Sequence, residues 1–278
     1  MRIADSHNDF LTYYKTIQQK RNYLYRLSYG DLKILNAVFW STESKNPLSE
    51  VRKNSSVLFT NNKNKIKIIY TIEDIGFCNI EDVENFYINK VDFCGLVWNY
   101  KNKFGSGVLG NTGLTSIGKQ IIKKLEAKNI IIDTAHMNEK TFIDFLAITE
   151  KPIYNSHSNF YSLYKNDRNL KNWQISEIIR SNGFIGLSFV RDFITGKEEF
   201  SSYDIAKQIK FFIDKWGENN IGLGSDFFGT QKLPKDLKKY TQIKNLEKNL
   251  LSLGVDKKLI DKIFYLNYYN FLKRVNKI

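Results

Sequence analysis

The feature of this chain that most constrains its fold is a regular alternation of short apolar segments with helical patterns. We identify eight such segments in the 278-residue sequence. They lie at residues 3–4, 35–40, 67–72, 93–98, 130–133, 152–155, 184–189 and 221–224. Short, almost wholly apolar strands are typical of a parallel sheet whose two faces are both covered. The alternation therefore predicts an α/β protein with a parallel sheet.

Helical patterns fill most of the intervals between these strands. The clearest begins at Ser116, where Ile117, Ile121, Ile122 and Leu125 fall at the spacing of one helical face. Another begins at Asn138, a residue type that caps helices. The other predicted helices lie near residues 49–58, 172–181, 201–216, 241–253, 256–264 and 265–275. The segment between the first strand and residue 29 is interpreted only as a polar stretch.

Eight strands with intervening helices predict a (β/α)₈ TIM barrel, and the main alternative is a doubly wound open sheet. The barrel is favoured because polar candidate residues follow strands one, three, five, six and eight. The carboxyl ends of barrel strands converge on one rim, which is where the active site is expected. The chain has only three prolines and no Gly/Ser-rich linker. We therefore expect residues 1–278 to form a single barrel domain with additional C-terminal helices.

The formal net charge of +13 could indicate a surface that binds polyanions. However, the lysines are scattered as single residues and pairs, and no run of five or six like charges occurs. Aromatic and basic residues are not interleaved in the manner of a stacking groove for single-stranded nucleic acid. We therefore expect no nucleic-acid partner.

Cysteine usage and the start of the sequence bear on the cellular location. Cys78 and Cys94 have no CxxC spacing, which favours buried thiols in a reducing compartment. Residues 1–10 lack the basic and apolar regions of a signal peptide, and no apolar run reaches the roughly 18 residues that a membrane span needs. The sequence predicts a soluble cytoplasmic protein with no membrane segment.

Histidines and carboxylates follow the predicted strands in a consistent way. The chain has three histidines, and each comes at or just after the end of a predicted strand: His7, His136 and His157. Any one of them could be a surface residue or a hydrogen-bonded core residue. Three carboxylates occupy equivalent places: Asp9, Glu73 and Asp226. Together these residues predict a pocket in which three imidazoles meet three carboxylates.

The spacing and chemistry of this set favour divalent metal ions. His7 and Asp9 are two residues apart, so they project from the same face at the end of a strand and can hold one cation. The whole set is large enough for two ions, and mixed nitrogen and oxygen ligands suit zinc among other metals. Two ions about 3.5–4 Å apart can share a hydroxide and polarise a carbonyl. The remaining carboxylate can move protons, so the set favours hydrolysis of an amide or ester.

Seven short motifs, in order along the chain, resemble those of the renal (membrane) dipeptidase family, a branch of the amidohydrolase-like metal barrels. The first is Asp-Ser-His-Asn-Asp-Phe at residues 5–10, which is similar to the family's Asp-Gly-His-Asn-Asp-Leu. The others are Thr-Ile-Glu-Asp at 71–74, Gly-Leu-Thr-Ser-Ile-Gly at 113–118, Asp-Thr-Ala-His at 133–136, Asn-Ser-His-Ser-Asn at 155–159, Asp-Arg-Asn-Leu at 167–170 and Gly-Leu-Gly-Ser-Asp-Phe at 222–227. The resemblance therefore covers most of the chain.

This resemblance implies a role for each matching metal-binding residue. His7 and Asp9 would bind the first of two zinc ions, and Glu73 would bridge both ions. His136 and His157 would bind the second zinc ion. Other divalent metals could replace zinc. The implied enzyme is a metal-dependent dipeptidase of the metallopeptidase class, and homodimers are common among similar proteins.

The resemblance also implies how substrate is handled. Asp226 would take a proton from the bridging water and deliver it to the leaving amine. Arg168 would hold the terminal carboxylate of the substrate through a forked, charge-assisted pair. In the renal enzymes a histidine near the end of the fourth strand stabilises the oxyanion, but here the stretch contains Trp98 and Asn99. Asn99 could donate a hydrogen bond in its place.

Two further departures concern residues beside the expected site. Asp74 replaces a glycine next to the bridging glutamate and adds negative charge there. Phe228 stands where the family often has a second aspartate. These departures leave the metal ligands intact and bear on substrate choice and turnover.

Three hypotheses follow for the function. The first is a dipeptidase that hydrolyses the peptide bond of a dipeptide through a zinc-bridged hydroxide. The second keeps the two metals but acts on a lactam, an acylated amino acid or another small dipeptide-like amide, and the missing histidine motivates it. The third is a basic protein that binds anionic partners without turnover, and the complete ligand set argues against it.

Overall fold

A closed barrel of eight parallel strands forms the centre of the protein. The structure is a computed structural model that describes residues 1–59 and 66–278, apart from the side chain at position 43. The strands are β1 (Ile3–Asn8), β2 (Leu32–Trp40), β3 (Lys67–Glu73), β4 (Phe93–Gly95), β5 (Ile131–Asp133), β6 (Tyr154–Ser158), β7 (Phe184–Leu187) and β8 (Ile221–Leu223). Each strand pairs in parallel with the next, and β8 pairs with β1 to close the barrel. The predicted (β/α)₈ fold is confirmed.

Helices connect the strands and surround the barrel. They are α1 (Phe10–Tyr13), α2 (Ile17–Leu27), α3 (Pro47–Phe59), α4 (Val83–Ile88), α5 (Ser116–Ala127), α6 (Glu139–Leu146), α7 (Asn172–Arg180), α8 (Arg191–Ile194), α9 (Ser202–Trp216), α10 (Ile243–Ser252), α11 (Lys257–Asp261) and α12 (Asn267–Arg274). A π-helical turn at Lys262–Leu266 joins α11 to α12. The predicted helices near 265–275 and 256–264 therefore lie close to their expected places.

Local sequence explains where several helices begin. The Thr115 hydroxyl accepts a hydrogen bond from the Gly118 amide at the start of α5, and Asn138 caps α6 in the same way through Thr141. The α5 face that packs on the barrel contains Ile121, Ile122 and Leu125. The prediction for Ile117 was wrong, because this residue in the first turn is 38% exposed.

Helix α2 was not predicted, and its composition explains why. Within α2 only Lys20 and Leu24 are buried, so the helix has almost no apolar stripe. The available signal was the capping box of Thr16 and Gln19, in which each side chain bonds the backbone of the other residue. Strand β6 also differs from its prediction, because it begins later and includes His157 rather than ending before it.

The interior of the barrel changes character from one end to the other. At the amino ends of the strands lies an aromatic floor, which consists of Phe93, Tyr154, Phe184, Tyr268 and Phe271. The last two belong to α12, which therefore covers this end of the barrel. The rings stack closely, with centroids 4.3 Å apart for the first two residues.

A polar layer separates the aromatic floor from the opposite rim. The Ser6 carbonyl accepts hydrogen bonds from the Tyr154 hydroxyl and from Asn36 Nδ2, each at 2.8 Å. The Thr71 hydroxyl donates to Asn36 Oδ1 at 2.7 Å. These bonds tie β1, β2, β3 and β6 together just below the rim, so the side chains above them are held on a rigid base.

Candidate metal centre

The carboxyl-end rim gathers all six residues that were predicted to converge. Asp9 directly follows β1 and caps α1, Glu73 is the last residue of β3, and Asp226 lies three residues after β8. His7 and His157 lie within β1 and β6, and His136 follows β5. Each of the six is less than one-tenth exposed. The rim is therefore a buried cluster of three imidazoles and three carboxylates.

Glu73 stands between two groups of ligand atoms. Its Oε2 atom is 4.0 Å from His7 Nε2, and its Oε1 atom is 2.7 Å from His136 Nε2 and 3.8 Å from His157 Nε2. His7 Nε2 is also 3.1 Å from Asp9 Oδ2. One group of potential ligands contains His7, Asp9 and Asp226, and another contains Glu73, His136 and His157. A third group, His7, Asp133 and His157, shares its histidines with these two. Within each group the ligand atoms lie within 4.8 Å of one another.

Unpaired buried oxygens provide a test of whether this cluster suits metal ions. Within the part of the chain that the structure describes, Asp9 Oδ2 and Glu73 Oε1 are buried and make no hydrogen bond of proper geometry, although the Nε2 atoms of His7 and His136 lie close to them. Buried polar atoms are normally paired, so an unpaired carboxylate oxygen is costly. Nitrogen and oxygen ligands in this arrangement are those that divalent ions such as zinc prefer. The residues present therefore fit divalent metal ions.

The charges of the rim favour a cation beside His7. Burial alone would lower the pKa of His7, but the carboxylates of Asp9, Glu73 and Asp226 raise it to about 10. Burial would raise the pKa of Glu73, but its interactions with His136, His7 and Arg168 hold it at about 2. The carboxylates around His7 thus stabilise a positive charge at this position, whether a proton or a metal ion supplies it.

The other two histidines are favoured in their neutral form. Burial, followed by the charge of Arg168, lowers the pKa of His136 to about 4. Burial also lowers the pKa of His157 well below its usual value, and the charge of His7 adds to this effect. A neutral imidazole has a free lone pair on one nitrogen, which is the form that binds a metal ion.

Asp226 differs from the other carboxylates in its electrostatic surroundings. Burial and the neighbouring charge of Asp9 raise the pKa of Asp226 to about 8. Its backbone is left-handed, with φ of 58°, and His136 has φ of 69°. Residues other than glycine seldom adopt this conformation, and such strain is concentrated at functional sites.

Hydrogen bonds between β1 and β8 fix the position of Asp226 relative to His7. The Asp226 amide donates to the His7 carbonyl at 3.1 Å. Below it, the buried Asp5 carboxylate accepts from the Ser225 amide at 2.9 Å, from the Ser225 hydroxyl at 2.5 Å and from the Tyr240 hydroxyl. Asp5 thus holds the first and last strands together directly beneath the potential metal ligands.

Arg168 lies at the edge of the same cluster. It is 7% exposed, and its guanidinium lies 5.1 Å from the centre of the Phe193 ring. Arg168 Nη2 donates to the His157 carbonyl at 3.2 Å, whereas Nε has no hydrogen-bond partner among the described residues. A buried guanidinium with a free donor is suited to bind a carboxylate.

A cleft of about 250 Å³ lies above the cluster. The indoles of Trp40 and Trp98 line one side, and Val190 and Phe193 line the side near Arg168. The two indole rings contact each other with centroids 4.9 Å apart. This volume is below the roughly 300–1,000 Å³ of sites for drug-sized ligands, so the cleft suits a small molecule.

Asn99 and Gly229 line this cleft in different ways. Asn99 Oδ1 lies 2.8 Å from His136 Nδ1, so Asn99 contacts a potential ligand in addition to facing the cleft. A Cβ atom at Gly229 would lie 2.1 Å from Asp226 Oδ1 and 2.6 Å from Asp9 Oδ2. Only glycine therefore leaves room for both carboxylates at this position.

The two unusual residues beside the site lie in different surroundings. The Asp74 carboxylate accepts hydrogen bonds from the Gly76 amide at 2.8 Å and from Asn102 Nδ2 at 2.9 Å. Phe228 packs against the rings of Tyr13 and Tyr23, with centroids 5.0 Å away in both cases. Phe228 therefore contributes to an aromatic cluster beside the rim.

Sequence reasoning missed several residues that organise the site, among them Asp5, Asp133, Ser156 and Gly229. Asp5, Asp133 and Ser156 each lie one to three residues before a histidine in a motif that we had singled out. This proximity was the available signal, but it does not indicate which atoms the side chains contact. The need for glycine at position 229 could not be predicted, because the sequence does not distinguish Gly229 from an ordinary turn glycine.

The family model of the membrane dipeptidases, peptidase family M19, matches residues 2–278. The chain belongs to this family. Together with the ligand cluster, membership identifies the protein as a metal-dependent hydrolase of the dipeptidase type. The family suggested by the seven motifs is thus confirmed.

Two curated relatives show how far this M19 sequence extends over other proteins. An uncharacterized protein encoded in the pqqA 5′ region of Klebsiella pneumoniae is 34% identical over 70% of this chain and 76% of its own length. An uncharacterized dipeptidase of Schizosaccharomyces pombe is 27% identical over 66% of this chain. The match spans only 47% of the yeast protein, or about half of its length.

A solved structure of similar fold supports the architecture of this M19 protein. A metallopeptidase of Rhodobacter sphaeroides superposes with a TM-score of 0.84 and 20% identity, and the match covers 99% of each chain. That protein was solved with a phosphinate mimic of the dipeptide L-Ala-D-Ala. At this level of identity the comparison demonstrates a shared fold.

Among the described residues, none of the helices is both long and apolar enough to cross a membrane.

Proposed function

We propose that this enzyme is a zinc-dependent dipeptidase that hydrolyses the single peptide bond of a dipeptide with free amino and carboxyl ends. The observation that carries the proposal is the placement of Arg168 beside the cluster of six potential metal ligands and proton carriers, five of which line the same small cleft as Arg168. The cluster can bind the ions that would polarise the peptide carbonyl, and the adjacent Arg168 can bind the terminal carboxylate of the same dipeptide.

The proposed ligands divide between two zinc ions. His7 and Asp9 would hold the first ion, His136 and His157 would hold the second, and Glu73 would serve both. The two Glu73 oxygens already face the two groups of ligands, and one of them is otherwise unpaired among the described residues. When bound, such a pair of ions would acidify a water molecule and polarise the carbonyl of the scissile bond.

Asp226 is the proposed proton carrier. Its carboxyl group lines the cleft beside Asp9, and its backbone is fixed by the bond to the His7 carbonyl. A carboxylate in this place can accept a proton from the attacking water and then donate it to the leaving amine. This assignment leaves the other carboxylates free to act as ligands.

Arg168 and Asn99 are the proposed substrate-binding residues. The free Nε donor and planar guanidinium of Arg168 suit a forked pair with the terminal carboxylate of the substrate. Since Asn99 Oδ1 is directed at His136, its amide nitrogen is the group available to stabilise the oxyanion. The Rhodobacter sphaeroides metallopeptidase of similar fold, solved with a phosphinate dipeptide mimic, supports a dipeptide as the substrate class.

The test is a hydrolysis screen with a panel of dipeptides and their end-blocked derivatives. We expect cleavage of free dipeptides, a large increase in KM when the carboxyl end is amidated, and no cleavage of tripeptides beyond background. Cleavage that does not depend on the free carboxylate would contradict the role of Arg168. An absence of hydrolysis across the panel by zinc-loaded enzyme would refute the proposal.

A second candidate function is hydrolysis of another small amide, such as a lactam or an acylated amino acid, with the same two ions. The stretch after β4 favours it, because Trp98 and Asn99 stand where the renal enzymes have a histidine. The same panel extended to lactams and N-acyl amino acids separates the two functions. Faster turnover of these compounds than of any dipeptide would favour the second candidate.

We further propose that residues 1–278 act as one domain and that the enzyme works in the cytoplasm with a small-molecule substrate. Cys78 and Cys94 are both buried free thiols, which supports a reducing compartment. Homodimerisation is a possible assembly, and sedimentation of the purified protein tests it. A sedimentation coefficient of a 32.6 kDa monomer at micromolar concentration would contradict the dimer.

A further inference from the structure

One buried hydroxyl contacts a histidine from each group of potential ligands. Ser156 Oγ is 3.0 Å from His7 Nδ1 and 2.8 Å from His157 Nδ1. The two rings lie with their centroids only 3.8 Å apart, and Ser156 is fully buried. Both rings therefore turn their Nδ1 atoms towards the same oxygen. His7 Nε2 faces Asp9 Oδ2 at 3.1 Å, whereas His157 Nε2 lies 2.8 Å from Arg168 Nη2 and 3.8 Å from Glu73 Oε1.

Asp133 completes the surroundings of this hydroxyl. Burial raises the pKa of Asp133, and hydrogen bonds oppose this rise, first among them one from the Ser156 side chain. Asp133 Oδ1 also accepts from the amides of Ser156 and Ala135, at 2.9 and 3.0 Å. The carboxylate is therefore held in place from its own side of the barrel.

The hydrogen-bonding capacity of a hydroxyl fixes how this cluster is arranged. A serine hydroxyl has one hydrogen to donate and two lone pairs to accept. If the hydrogen is donated to Asp133, both lone pairs face imidazole Nδ1 atoms, so His7 and His157 each carry a hydrogen on Nδ1. The Nε2 atom of each ring is then left without a hydrogen, as a metal ligand requires.

We propose that Ser156, supported by Asp133, is a positioning residue that couples the two metal positions of this centre. The inference rests on the proposed two-ion site. Because the two imidazoles share one hydroxyl, an ion that holds either ring in place also holds that hydroxyl and, through it, the ring in the other group. The second ion then binds to a site that is already organised, which is positive cooperativity between the two positions.

The third histidine offers a matched comparison. His136 Nδ1 faces Asn99 Oδ1 at 2.8 Å rather than the Ser156 hydroxyl. Asn99 therefore supports one ligand of one group, whereas Ser156 supports a ligand in both. Removing the two side chains should have different consequences for the two ions.

The experiment measures metal binding and needs no substrate. Metal-free wild type, Ser156→Ala and Asn99→Ala are titrated with zinc against a chromophoric chelator, and with cobalt while the ligand-field spectrum is recorded. We expect Ser156→Ala to weaken both ions by about 10–100-fold and to abolish cooperativity, since outer-shell partners contribute on this scale. Asn99→Ala should weaken one ion only.

A conservative variant and a spectroscopic readout separate positioning from a general packing defect. Ser156→Thr retains the hydroxyl and should recover cooperativity, while imidazole ¹⁵N spectra of metal-free Ser156→Ala should show mixed tautomers for His7 and His157. If Ser156→Ala weakens one ion only, or leaves the affinities unchanged, the coupling is refuted. If wild type binds a single ion, the two-ion proposal itself fails, and this outcome is distinguishable from the first. Should Ser156→Ala fail to fold, Asp133→Asn tests the same unit, and unchanged cooperativity there overturns the proposal.

Discussion

The two ends of the barrel interior differ in the chemical character of their buried side chains. At the amino ends of the strands, stacked rings such as Tyr154 and Phe271 fill the barrel and are fully buried. At the carboxyl ends, the same depth of burial is occupied by imidazoles and carboxylates, some of which lack hydrogen bonds within the described chain. Burial of apolar surface at the amino ends stabilises the folded state. Burial of charged groups at the carboxyl ends destabilises it.

The residues that stabilise the fold and the residues proposed for catalysis therefore lie at opposite ends of the barrel axis. The aromatic floor and the polar layer around Ser6 and Asn36 hold the strands in register. The rim can then contain buried charges that would destabilise an unsupported structure. Substitutions at the rim should therefore affect turnover and metal binding, whereas substitutions at the floor should affect unfolding.

The largest expected effect is on catalysis and comes from Asp226→Asn at the rim. The amide cannot accept the proton of the attacking water, so kcat for dipeptide hydrolysis should fall by about 10²–10⁴-fold. Metal content and the free energy of unfolding should change little, because the amide has nearly the same shape. Steady-state kinetics with metal analysis checks this, and full activity of the variant would remove Asp226 from the proposed mechanism.

The largest expected effect on stability comes from Phe271→Ala at the floor. Truncation of this fully buried ring should lower the free energy of unfolding by roughly 3–5 kcal/mol. The kcat/KM of the protein that remains folded should be close to that of wild type. Denaturant titration and kinetics on the same sample test this expectation. A parallel loss of kcat/KM would show that the floor also contributes to turnover.

A smaller effect is expected from Arg168→Lys at the edge of the cleft. Lysine keeps the charge but loses the planar fork, so kcat/KM for free dipeptides should fall by about 10–100-fold, as expected for the loss of a charged hydrogen bond. Amidated dipeptides should be cleaved equally by variant and wild type, which serves as an internal control. A similar loss for both kinds of substrate would show that Arg168 acts on something other than the carboxylate.

A further effect is expected on the local stability of the rim when metal is removed. Zinc binds only while the rim is folded, so zinc at about 100 times Kd should oppose opening of the rim by about 2.7 kcal/mol per site. Hydrogen exchange through local opening should therefore accelerate after chelation at the carboxyl ends of β1, β5 and β6 and remain unchanged around α12. Uniform acceleration over the whole barrel would contradict the separation.

The sequence predicted the barrel and its rim because both leave local signals. Strands such as β5 are apolar throughout, and residues like His7 and Glu73 stand at the points where the apolar segments end. Helix α2 escaped prediction because a buried lysine occupies part of the face that an apolar residue normally fills. Propensity and periodicity describe one element at a time and carry this information well only when the element has an apolar stripe.

The organisation of the site could not be predicted from the same signals. The hydroxyl of Ser156 acquires its importance from contacts with His7, which is 149 positions away in sequence, and Asp5 acquires its importance from Ser225. The need for glycine at position 229 arises from the carboxylates of Asp9 and Asp226, which approach it from two different strands. Such relations depend on closure of the barrel and appear only when β8 meets β1.

The proposed two-ion centre is tested most directly by titration of metal-free enzyme with zinc while metal binding and dipeptide hydrolysis are followed together. We predict that hydrolysis rises to a plateau at two zinc ions per chain and that Glu73→Gln abolishes both tight binding and activity. Full activity at one equivalent, or hydrolysis that persists in the metal-free enzyme, would contradict a two-ion centre built on Glu73.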